Sequence, residues 1–331
     1  MVNISIALCT RNGEKFLRTQ LSSFVDQTLQ ADEIIVCDEG STDQTLAILE
    51  QFSDRLPLKI YKNPERLGTY RNFEKAMSLC QGDIIFPADQ DDFWVPQKLE
   101  RVFTYFNLHP EIDAIFTDAL LVDEFGQTSG KQLWQSFRFR QKQQQEWKNG
   151  KSLEILLDGN RVTGCTMGIR KSYFERVSPF PSSLPSSFLH DAWLGIMAAA
   201  ENKIDFIPAT YVHYRLHSEQ QVGVKGTEGK PPTMVDRMSR SHAEKLAPYQ
   251  KAWSFLCQVR EAMLATNANL SLEALDTKID YLERRAHLPE ARWKRLKPTL
   301  HNLLGGHYHR FKDMDSEALA PYLMFLGDLL E

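Results

Sequence analysis

Short apolar runs alternate with helical spacings along the first ninety residues of the chain. The apolar runs that predict buried strands are Val2–Cys9, Glu33–Cys37, Leu58–Lys62 and Ile84–Phe86. The intervening segments with apolar side chains on one helical face are Glu14–Gln27, Thr45–Phe52 and Thr69–Leu79. Strands and helices that alternate in this way predict an α/β fold, with a parallel sheet covered by helices on both faces.

Polar clusters follow three of these strands directly. They are Thr10–Asn12, Asp38–Asp43 and Asp89–Asp92. Ligands of open parallel sheets bind beyond the carboxyl ends of the strands. We therefore expect the three clusters to converge on one site, and this expectation does not depend on any single motif.

The remaining pattern is less regular and predicts a change of architecture. Gln97–Asn107 and Ala192–Ala200 have helical spacing, and Asp123–Gly126 is typical of a hairpin turn. The predicted strands are Ala114–Val122, Gly164–Arg170, Ile204–Ile207 and Tyr211–Arg215. The polar, Gln-rich segment Leu133–Lys151 predicts a mobile loop over the site. Glycines and prolines in Gly223–Pro232 predict a boundary, with an α/β domain at residues 1–225 and a helical region at residues 226–331.

Composition narrows the class of protein. The 331 residues are 42% hydrophobic and carry a net charge of −4, which argues against a nucleic-acid partner. The five cysteines are scattered without a CxxC pair, which favours a reducing, cytoplasmic location. No apolar stretch reaches the length of a membrane span. A lipid-linked substrate would therefore be met from the inner surface of the membrane.

The acidic cluster is the strongest chemical signal. Asp89, Asp91 and Asp92 repel one another unless a cation joins them, and Mg²⁺ or Mn²⁺ prefers such oxygen ligands. The alternative is a capping turn for the next helix, since Asp is favoured at helix starts. The position after a fourth strand, beyond two other polar strand ends, favours the metal.

Single residues elsewhere leave alternatives open. Asp38 is either a turn residue or an acceptor for a nucleobase N–H, with Glu39 beside it solvated. Arg71 is either solvated or a donor to phosphates. Asp191 is either a helix cap or a general base, and His217 is either structural or a metal ligand.

Taken in order, these segments resemble family 2 glycosyltransferases with the GT-A fold. The resemblance covers about residues 1–225 and is carried by Ile6–Leu17, Ile34–Thr45, Asn63–Asn72, Ala88–Trp94, His190–Trp193 and Tyr214–His217. The Asp-Gln-Asp-Asp-Phe-Trp and His-Asp-x-Trp variants resemble bacterial polysaccharide enzymes, including rhamnosyltransferases. The chain departs from the family pattern at His190, where Glu is usual, and at Glu219–Gln221, where Asn is common.

The resemblance implies a Rossmann-like, mostly parallel sheet flanked by helices, with nucleotide binding in residues 1–125 and the acceptor side in residues 126–225. It assigns Asp191 as the catalytic base, and Asp91 with His217 to a Mg²⁺ or Mn²⁺ ion. The residues assigned to the nucleotide are Thr10, Arg11, Glu14, Asp38, Arg71 and Asp89. Accessory positions are Asn12, Gln90, Asp92, Trp94, His190 and Trp193.

The implied activity is an inverting transfer of a hexose or deoxyhexose from a nucleoside diphosphate sugar. The donor would be a dTDP- or UDP-sugar such as dTDP-rhamnose. The acceptor would be a hydroxyl of a glycan or lipid-linked acceptor in cell-surface polysaccharide synthesis. The alternative is a non-catalytic nucleotide-sugar-binding or scaffold protein. A nucleotidyltransferase would need a Gly-rich basic loop that Thr10–Lys15 lacks, and no GxGxxG motif supports a dehydrogenase.

The helical region has two interpretations. It forms either a cap and homodimer surface, or a peripheral contact with a membrane that carries lipid-linked acceptors. Trp253, Trp293 and Lys294–Arg295 are compatible with a membrane contact, and the mixed charge of the region argues against it.

Overall fold

The computed structural model describes residues 3–185, 188–218, 220, 240–266, 268–313 and 316–330. Contacts within the chain divide it into two compact units, Met1–Val224 with Thr266–Leu270, and Lys225–Ala265 with Ser271–Glu331. The predicted boundary segment Gly223–Pro232 lies outside the described residues, as do Glu219 and Gln221.

A single sheet forms the centre of the first unit. Its strands are β1 (Ile4–Thr10), β2 (Glu33–Asp38), β3 (Leu58–Lys62), β4 (Ile84–Ala88), β5 (Phe93–Trp94), β6 (Ala114–Val122), β7 (Thr128–Gln132), β8 (Met167–Arg170) and β9 (Ile204–Arg215). The strand order is β3-β2-β1-β4-β8-β6-β9-β5, and β7 pairs with β6. The strands β3, β2, β1 and β4 are parallel, as the apolar runs predict, and β8 joins them to β6 through antiparallel pairs.

Nine helices accompany this sheet among the described residues. They are α1 (Leu17–Val25), α2 (Thr45–Phe52), α3 (Thr69–Leu79), α4 (Lys98–Leu108), α5 (Leu133–Ser136), α6 (Gln141–Glu146), α7 (Ser152–Leu157), α8 (Lys171–Val177) and α9 (His190–Ala200). The helices that the sequence predicts after β1, β2 and β3 are present. Apolar residues of α1, α2 and α4 pack with β1, β2 and β4 in one buried core, so the strand ends stand on a rigid base.

The prediction of a mobile loop at Leu133–Lys151 is wrong. The segment forms α5, α6 and a further helical turn at Trp147–Lys151. Its aromatic side chains Trp134, Phe139 and Trp147 are buried, and all three rings contact Phe116 of β6. Three aromatic anchors hold a segment whose polar residues give it the composition of a loop.

The two short strands predicted at Ile204–Ile207 and Tyr211–Arg215 are one strand, β9. It continues past Pro208, which lacks an N–H, because its register against β6 shifts on both sides of Asp118. The buried Asp118 carboxylate accepts hydrogen bonds from the backbone N–H of Ala119 and of Trp134, at 2.8 and 3.0 Å. The shift therefore coincides with the point where α5 is fastened to β6.

The second unit is helical, as the sequence predicts. Its helices are α10 (His242–Leu264), α11 (Glu273–Ala286), α12 (Arg292–Leu304), α13 (His307–Arg310) and α14 (Ala320–Leu330). A buried ion pair joins α11 to α14, with 2.7 Å between Arg285 Nη2 and Asp328 Oδ1. The hydroxyl groups of Tyr281, Tyr249 and Tyr308 bond to the same pair, so both charges are neutralised where water is excluded. Among the described residues, no helix combines the length and the apolar composition that crossing a bilayer requires.

The aromatic cluster around Phe116 yields a stability prediction. We expect Trp147→Ala to lower the free energy of unfolding by about 3–5 kcal/mol, the usual cost of deleting a buried aromatic side chain. Trp293→Ala is the matched control, because Trp293 is 77% exposed. Guanidinium unfolding followed by circular dichroism measures both. Equal stability of the two variants would contradict the packing described here.

Candidate functional site

Asp38 lies at the end of β2, and its fully buried side chain connects the ends of β1 and β2. Its Oδ2 accepts hydrogen bonds from Thr10 Oγ1 at 2.8 Å and from Ser41 Oγ at 2.5 Å. Its Oδ1 accepts one from the Ser41 N–H at 2.9 Å. The carboxylate therefore fixes the end of β1 against the start of the next loop, and Oδ1 keeps one lone pair for a further donor.

Asn12 and Glu14 fasten the loop after β1 to the loop after β2. Asn12 Oδ1 accepts from the Thr42 N–H, and Glu14 Oε2 accepts from the Gln44 N–H, each at 2.9 Å. In return, the Asn12 N–H donates to Ser41 Oγ. Both side chains are used within the protein, whereas Arg11 is exposed and has no side-chain hydrogen bond among the described residues.

Glu39 is buried, so the expectation of a solvated side chain is wrong. It is only 9% exposed, and its Oε1 accepts hydrogen bonds from the backbone N–H groups of Leu67 and Gly68, at 2.8 and 2.7 Å. The loop that precedes α3 folds over β2, so its N–H groups reach the carboxylate. The sequence gives no sign of this long-range contact.

The cluster Asp89–Asp92 lies beyond β4, where its carboxylates act on one another. Burial raises the pKa of Asp89 well above its usual range, and the charges of Asp91, Asp92 and Asp191 add to the effect. Burial, with Asp91, also raises the pKa of Asp92 to about 7. Asp92 Oδ1 accepts from the Arg215 N–H at 3.0 Å, while its buried Oδ2 has no hydrogen-bond partner in the described part of the chain. Full ionisation of the cluster is therefore costly, and a bound cation would lower that cost.

Gln90 contributes structure to this cluster. Its side-chain amide pairs with the backbone of Arg11, accepting at 2.8 Å and donating at 2.9 Å. A Cβ on Gly13 would lie 2.3 Å from Gln90 Oε1, so only glycine leaves room for this contact. The acidic turn is thereby fixed to the loop after β1.

The residues after β9 close the cluster from the other side. His217 Nε2 lies 2.8 Å from Asp91 Oδ2, and its ring centroid lies 4.9 Å from that of Phe16. Arg215 donates from Nε to the Asp91 carbonyl at 2.7 Å and from Nη1 to the Glu124 carbonyl at 2.8 Å. Asp91 and His217 are therefore adjacent, as a shared ligand role requires.

Asp191 lies in the first turn of α9 and is 8% exposed. Its Oδ2 accepts from the Gly164 N–H at 3.1 Å, and its Oδ1 accepts from Asn160 Nδ2 at 3.2 Å. Burial raises the pKa of Asp191 to about 6, although these hydrogen bonds act to lower it. Because its charge acts on Asp89, the carboxylates of Asp89 and Asp191 share one region of the site.

The accessory aromatic positions are packing residues in the structure. Trp94 is 3% exposed and its ring lies 4.7 Å from that of Phe24. Trp193 is fully buried and donates from Nε1 to the Val177 carbonyl. His190 stacks on Phe73 at 4.0 Å, and burial lowers its pKa to about 3. His190 is therefore neutral near pH 7 and supports α9 from inside.

Arg71 lies in the first turn of α3, where its guanidinium contacts Glu74 and the Phe180 carbonyl, at 2.5 and 2.8 Å. It borders a cavity of about 690 Å³ that Phe174 and Pro179 also line. Among the described residues, no hydrogen bond or ion pair joins Arg71 to the acidic cluster. The structure thus joins Asp91 to His217 and Asp89 to Asp92, and it shows no such contact for Arg71 in the part of the chain that it describes.

Lys98, at the start of α4, is a site residue that sequence analysis missed. Its ammonium is fully buried, lies 3.4 Å from the Trp94 ring centroid and donates to the Cys165 carbonyl at 2.5 Å. Burial lowers its pKa to about 7, while Asp92 and Asp89 act to raise it. The only sequence signal is a lysine six residues after Asp92, which is equally typical of an exposed helix start.

Two donor sets could hold a cation. Asp89, Asp92 and Cys165 have ligand atoms within 4.8 Å of one another, and Asp91 Oδ2 lies 2.8 Å from His217 Nε2. Neighbouring ligand atoms lie about 3 Å apart around a six-coordinate ion with bonds of about 2.1 Å. Burial raises the pKa of the Cys165 thiol, and a protonated thiol is a poor ligand for Mg²⁺ or Mn²⁺. The aspartates with His217 therefore fit a hard cation better than the thiol does.

The family model described as Glycosyl transferase family 2 matches residues 5–177 of this chain. An uncharacterized glycosyltransferase from Haemophilus influenzae is 28% identical over 239 residues, which are 68% of this chain and 69% of that protein. The chain spans 59% of the length of three mycobacterial relatives, each 25% identical.

Solved structures are similar over nearly the whole chain. S. aureus TarS 1–349 in complex with UDP-GlcNAc has a TM-score of 0.56 and 17% identity, covering 99% of this chain and 81% of that one. The mannosyltransferase PcManGT from Pyrobaculum calidifontis, in complex with GDP-Man and Mn²⁺, has a TM-score of 0.51 and 15% identity, covering 98% and 79%. At these identities the similarity establishes the fold.

The contact between Gly164 and His190 yields a prediction for the site. A Cβ on Gly164 would lie 2.4 Å from His190 Nε2, and the stacked ring has little room to move. We expect Gly164→Ala to lower the free energy of unfolding by about 1–3 kcal/mol, as overpacking does. Chemical denaturation measures the loss.

The double variant Gly164→Ala/His190→Ala is the matched control. Removing the ring makes room for the new methyl group, so the double variant should be more stable than the sum of the two single losses implies. Strictly additive losses would show that the ring and the glycine do not constrain each other.

Proposed function

The chain belongs to glycosyl transferase family 2 and has the GT-A fold, and on this premise we propose that it is an inverting glycosyltransferase. It takes a sugar from a nucleoside diphosphate and moves it to an acceptor hydroxyl. One observation carries the proposal: Asp91 Oδ2 lies 2.8 Å from His217 Nε2, and ligand atoms of Asp89 and Asp92, in the same acidic turn, lie within 4.8 Å of each other. A cluster of this kind suits a cationic ligand beside a diphosphate, with Asp191 left to take a proton.

The nucleotide is proposed to bind where the loops after β1 and β2 meet. Thr10, Asp38 and Glu14 shape this place by fixing both loops, and the exposed Arg11 is free to reach the base or the phosphates. The lone pair left on Asp38 Oδ1 suits a nucleobase N–H. The complexes of TarS with UDP-GlcNAc and of PcManGT with GDP-Man support a nucleotide-sugar donor. Arg71 contributes only if α3 or its partner Glu74 rearranges.

In the proposed reaction the acceptor oxygen attacks the anomeric carbon from the face opposite the diphosphate. The new carbon–oxygen bond forms as the bond to the diphosphate breaks, and the hydroxyl proton passes to Asp191. A carboxylate whose pKa is about 6 is largely ionised at pH 7, yet basic enough to accept a proton in the transition state. Asn160 and the Gly164 N–H orient it through separate oxygens.

A divalent cation, Mg²⁺ or Mn²⁺, is proposed to bind Asp91 with His217 and Asp89. The PcManGT complex with Mn²⁺ and the donor set of this site support the assignment. The bound ion would supply positive charge opposite the leaving diphosphate. Arg215 holds the Asp91 backbone in place, and Lys98 offsets part of the negative charge on Asp92 and Asp89.

The proposed acceptor is a glycan or a lipid-linked glycan in cell-surface polysaccharide synthesis. The Asp-Gln-Asp-Asp-Phe-Trp segment supports this choice through its resemblance to bacterial polysaccharide enzymes. The same resemblance favours a dTDP- or UDP-sugar, dTDP-rhamnose among them, and a cytoplasmic location. Residues 1–225 would then form the catalytic domain. Thermal stabilisation by a panel of nucleotide sugars with MnCl₂ tests the donor directly.

The assignment of Asp191 as base predicts a selective loss of catalysis. We expect Asp191→Asn to lower kcat by about two to four powers of ten, the usual contribution of a general base, and to leave donor affinity unchanged. A coupled assay for nucleoside diphosphate release measures kcat, and calorimetry measures donor binding. The matched control is Asp54→Asn, an exposed aspartate in the turn after α2, which should behave as wild type.

The pH profile of the wild-type enzyme checks the same assignment. The base must be ionised to act, so kcat should be maintained above pH 6 and fall as the pH drops through the pKa of Asp191, about 6. The variant should lack this limb of the profile. Unchanged turnover in Asp191→Asn, with the acid limb retained, would remove Asp191 from the mechanism.

The assignment of Asp91 predicts a defect in cation-dependent binding. We expect Asp91→Ala to weaken nucleoside diphosphate binding in the presence of MnCl₂, because it removes a carboxylate from the cation site. The remaining affinity should match that of wild type in EDTA. Titration calorimetry with and without MnCl₂ measures both, with Asp54→Ala as control. Equal affinity of variant and wild type in MnCl₂ would contradict the metal assignment.

A further inference from the structure

Exposed apolar side chains concentrate on two helices of the second unit, α12 and α14, which contact each other. Trp293 is 77% exposed, Leu304 is 84% exposed and Leu323 is 64% exposed. We call the exposed surface of these two helices the apolar–basic face. Its exposed large apolar residues are Trp293, Leu296, Leu304, Leu319, Tyr322, Leu323, Leu326 and Leu330. Large apolar side chains gathered in this way mark a binding surface.

The α12 side of this face is basic, although the whole chain has a net charge of −4. From Arg292 to Lys312 the sequence contains six Lys or Arg residues and no Asp or Glu. Arg292, Lys294 and Lys297 are exposed beside Trp293 on α12, and Lys294 Nζ lies 5.3 Å from the Trp293 ring centroid. Apolar and cationic groups therefore share one surface.

We propose that the apolar–basic face of α12 and α14 binds an anionic lipid surface. Lysine and arginine side chains are attracted to the phosphates of anionic headgroups, and exposed leucines enter the boundary with the acyl chains. A tryptophan suits that boundary, because its ring is apolar and its N–H is polar. The face thus matches the anionic membrane surface in both charge and polarity.

A second copy of the chain fits this face less well. A twofold interface places the same patch on both partners, and the one acidic residue of α12 and α14, Asp328, is buried in its ion pair with Arg285. The cations would then be desolvated without opposite charges, which is costly. The mixed charge of the helical region argues against a membrane at the sequence level, but residues 292–312 carry only basic charges, and the acidic residues Asp313 and Glu317 come before α14.

Co-sedimentation of the full chain with vesicles tests the proposal. We expect binding to vesicles of phosphatidylglycerol and phosphatidylcholine, little binding to phosphatidylcholine alone, and a loss of binding as salt is raised. Lys294→Glu/Lys297→Glu should weaken binding about 30-fold or more, since each cation near an anionic surface contributes about a fivefold factor. Trp293→Ala should weaken it in both salt conditions, because its contribution is mainly apolar.

The controls separate this face from general effects of charge and exposure. Arg101→Glu/Lys131→Glu makes the same change of charge at exposed positions of the first unit, and Leu108→Ala removes an exposed leucine there. Both should bind vesicles as wild type does. Absence of binding to anionic vesicles would overturn the proposal, as would equal losses in the controls. It would also be overturned if light scattering showed a dimer that Lys294→Glu/Lys297→Glu dissociates.

Discussion

Mutual repulsion among carboxylates is the constraint on which the site depends. Burial raises the pKa of Asp89, and the charges of three other aspartates, from the turn after β4 and the start of α9, raise it further. The fold tolerates them because buried donors and a buried ammonium surround the cluster. Arg215 donates a hydrogen bond to the backbone carbonyl of Asp91, and the buried Lys98 ammonium donates one to the carbonyl of Cys165. The cost that remains is that of ionising buried carboxylates together, and a bound cation would lower it.

Much of this arrangement can be predicted from the sequence because neighbouring strands of the sheet run parallel. Parallel strands deliver their carboxyl ends to one edge, so a polar cluster after each strand becomes part of a common site. The apolar runs of β1, β2 and β4 are enough for that inference. The adjacency of Asp91 and His217, 126 positions apart, was expected only through the resemblance to a known family. No rule of spacing would have paired them.

The remaining features could not be predicted because they depend on contacts that leave no local signal. Glu39 looks like a solvated loop residue until the loop before α3 folds onto it. Lys98 looks like an exposed helical lysine until Trp94 covers it. The segment Leu133–Lys151 has the composition of a loop, but three aromatic residues decide its structure. In each case tertiary packing overrides a local preference.

The register of β9 has a consequence for how such a site can change. Thr117 pairs with Ile207, Asp118 with Thr210 and Ala119 with Val212. Moving by one residue on β6 therefore means moving by three residues on β9 at the first step and by two at the next. The strand therefore contains three extra residues, an odd number, which reverses the face on which later side chains emerge. Removing one residue between Ile207 and Val212 would either shorten the bulge or shift Arg215 and His217 along β6, away from their present partners. The length of this short stretch therefore matters to the site as much as the identity of its residues.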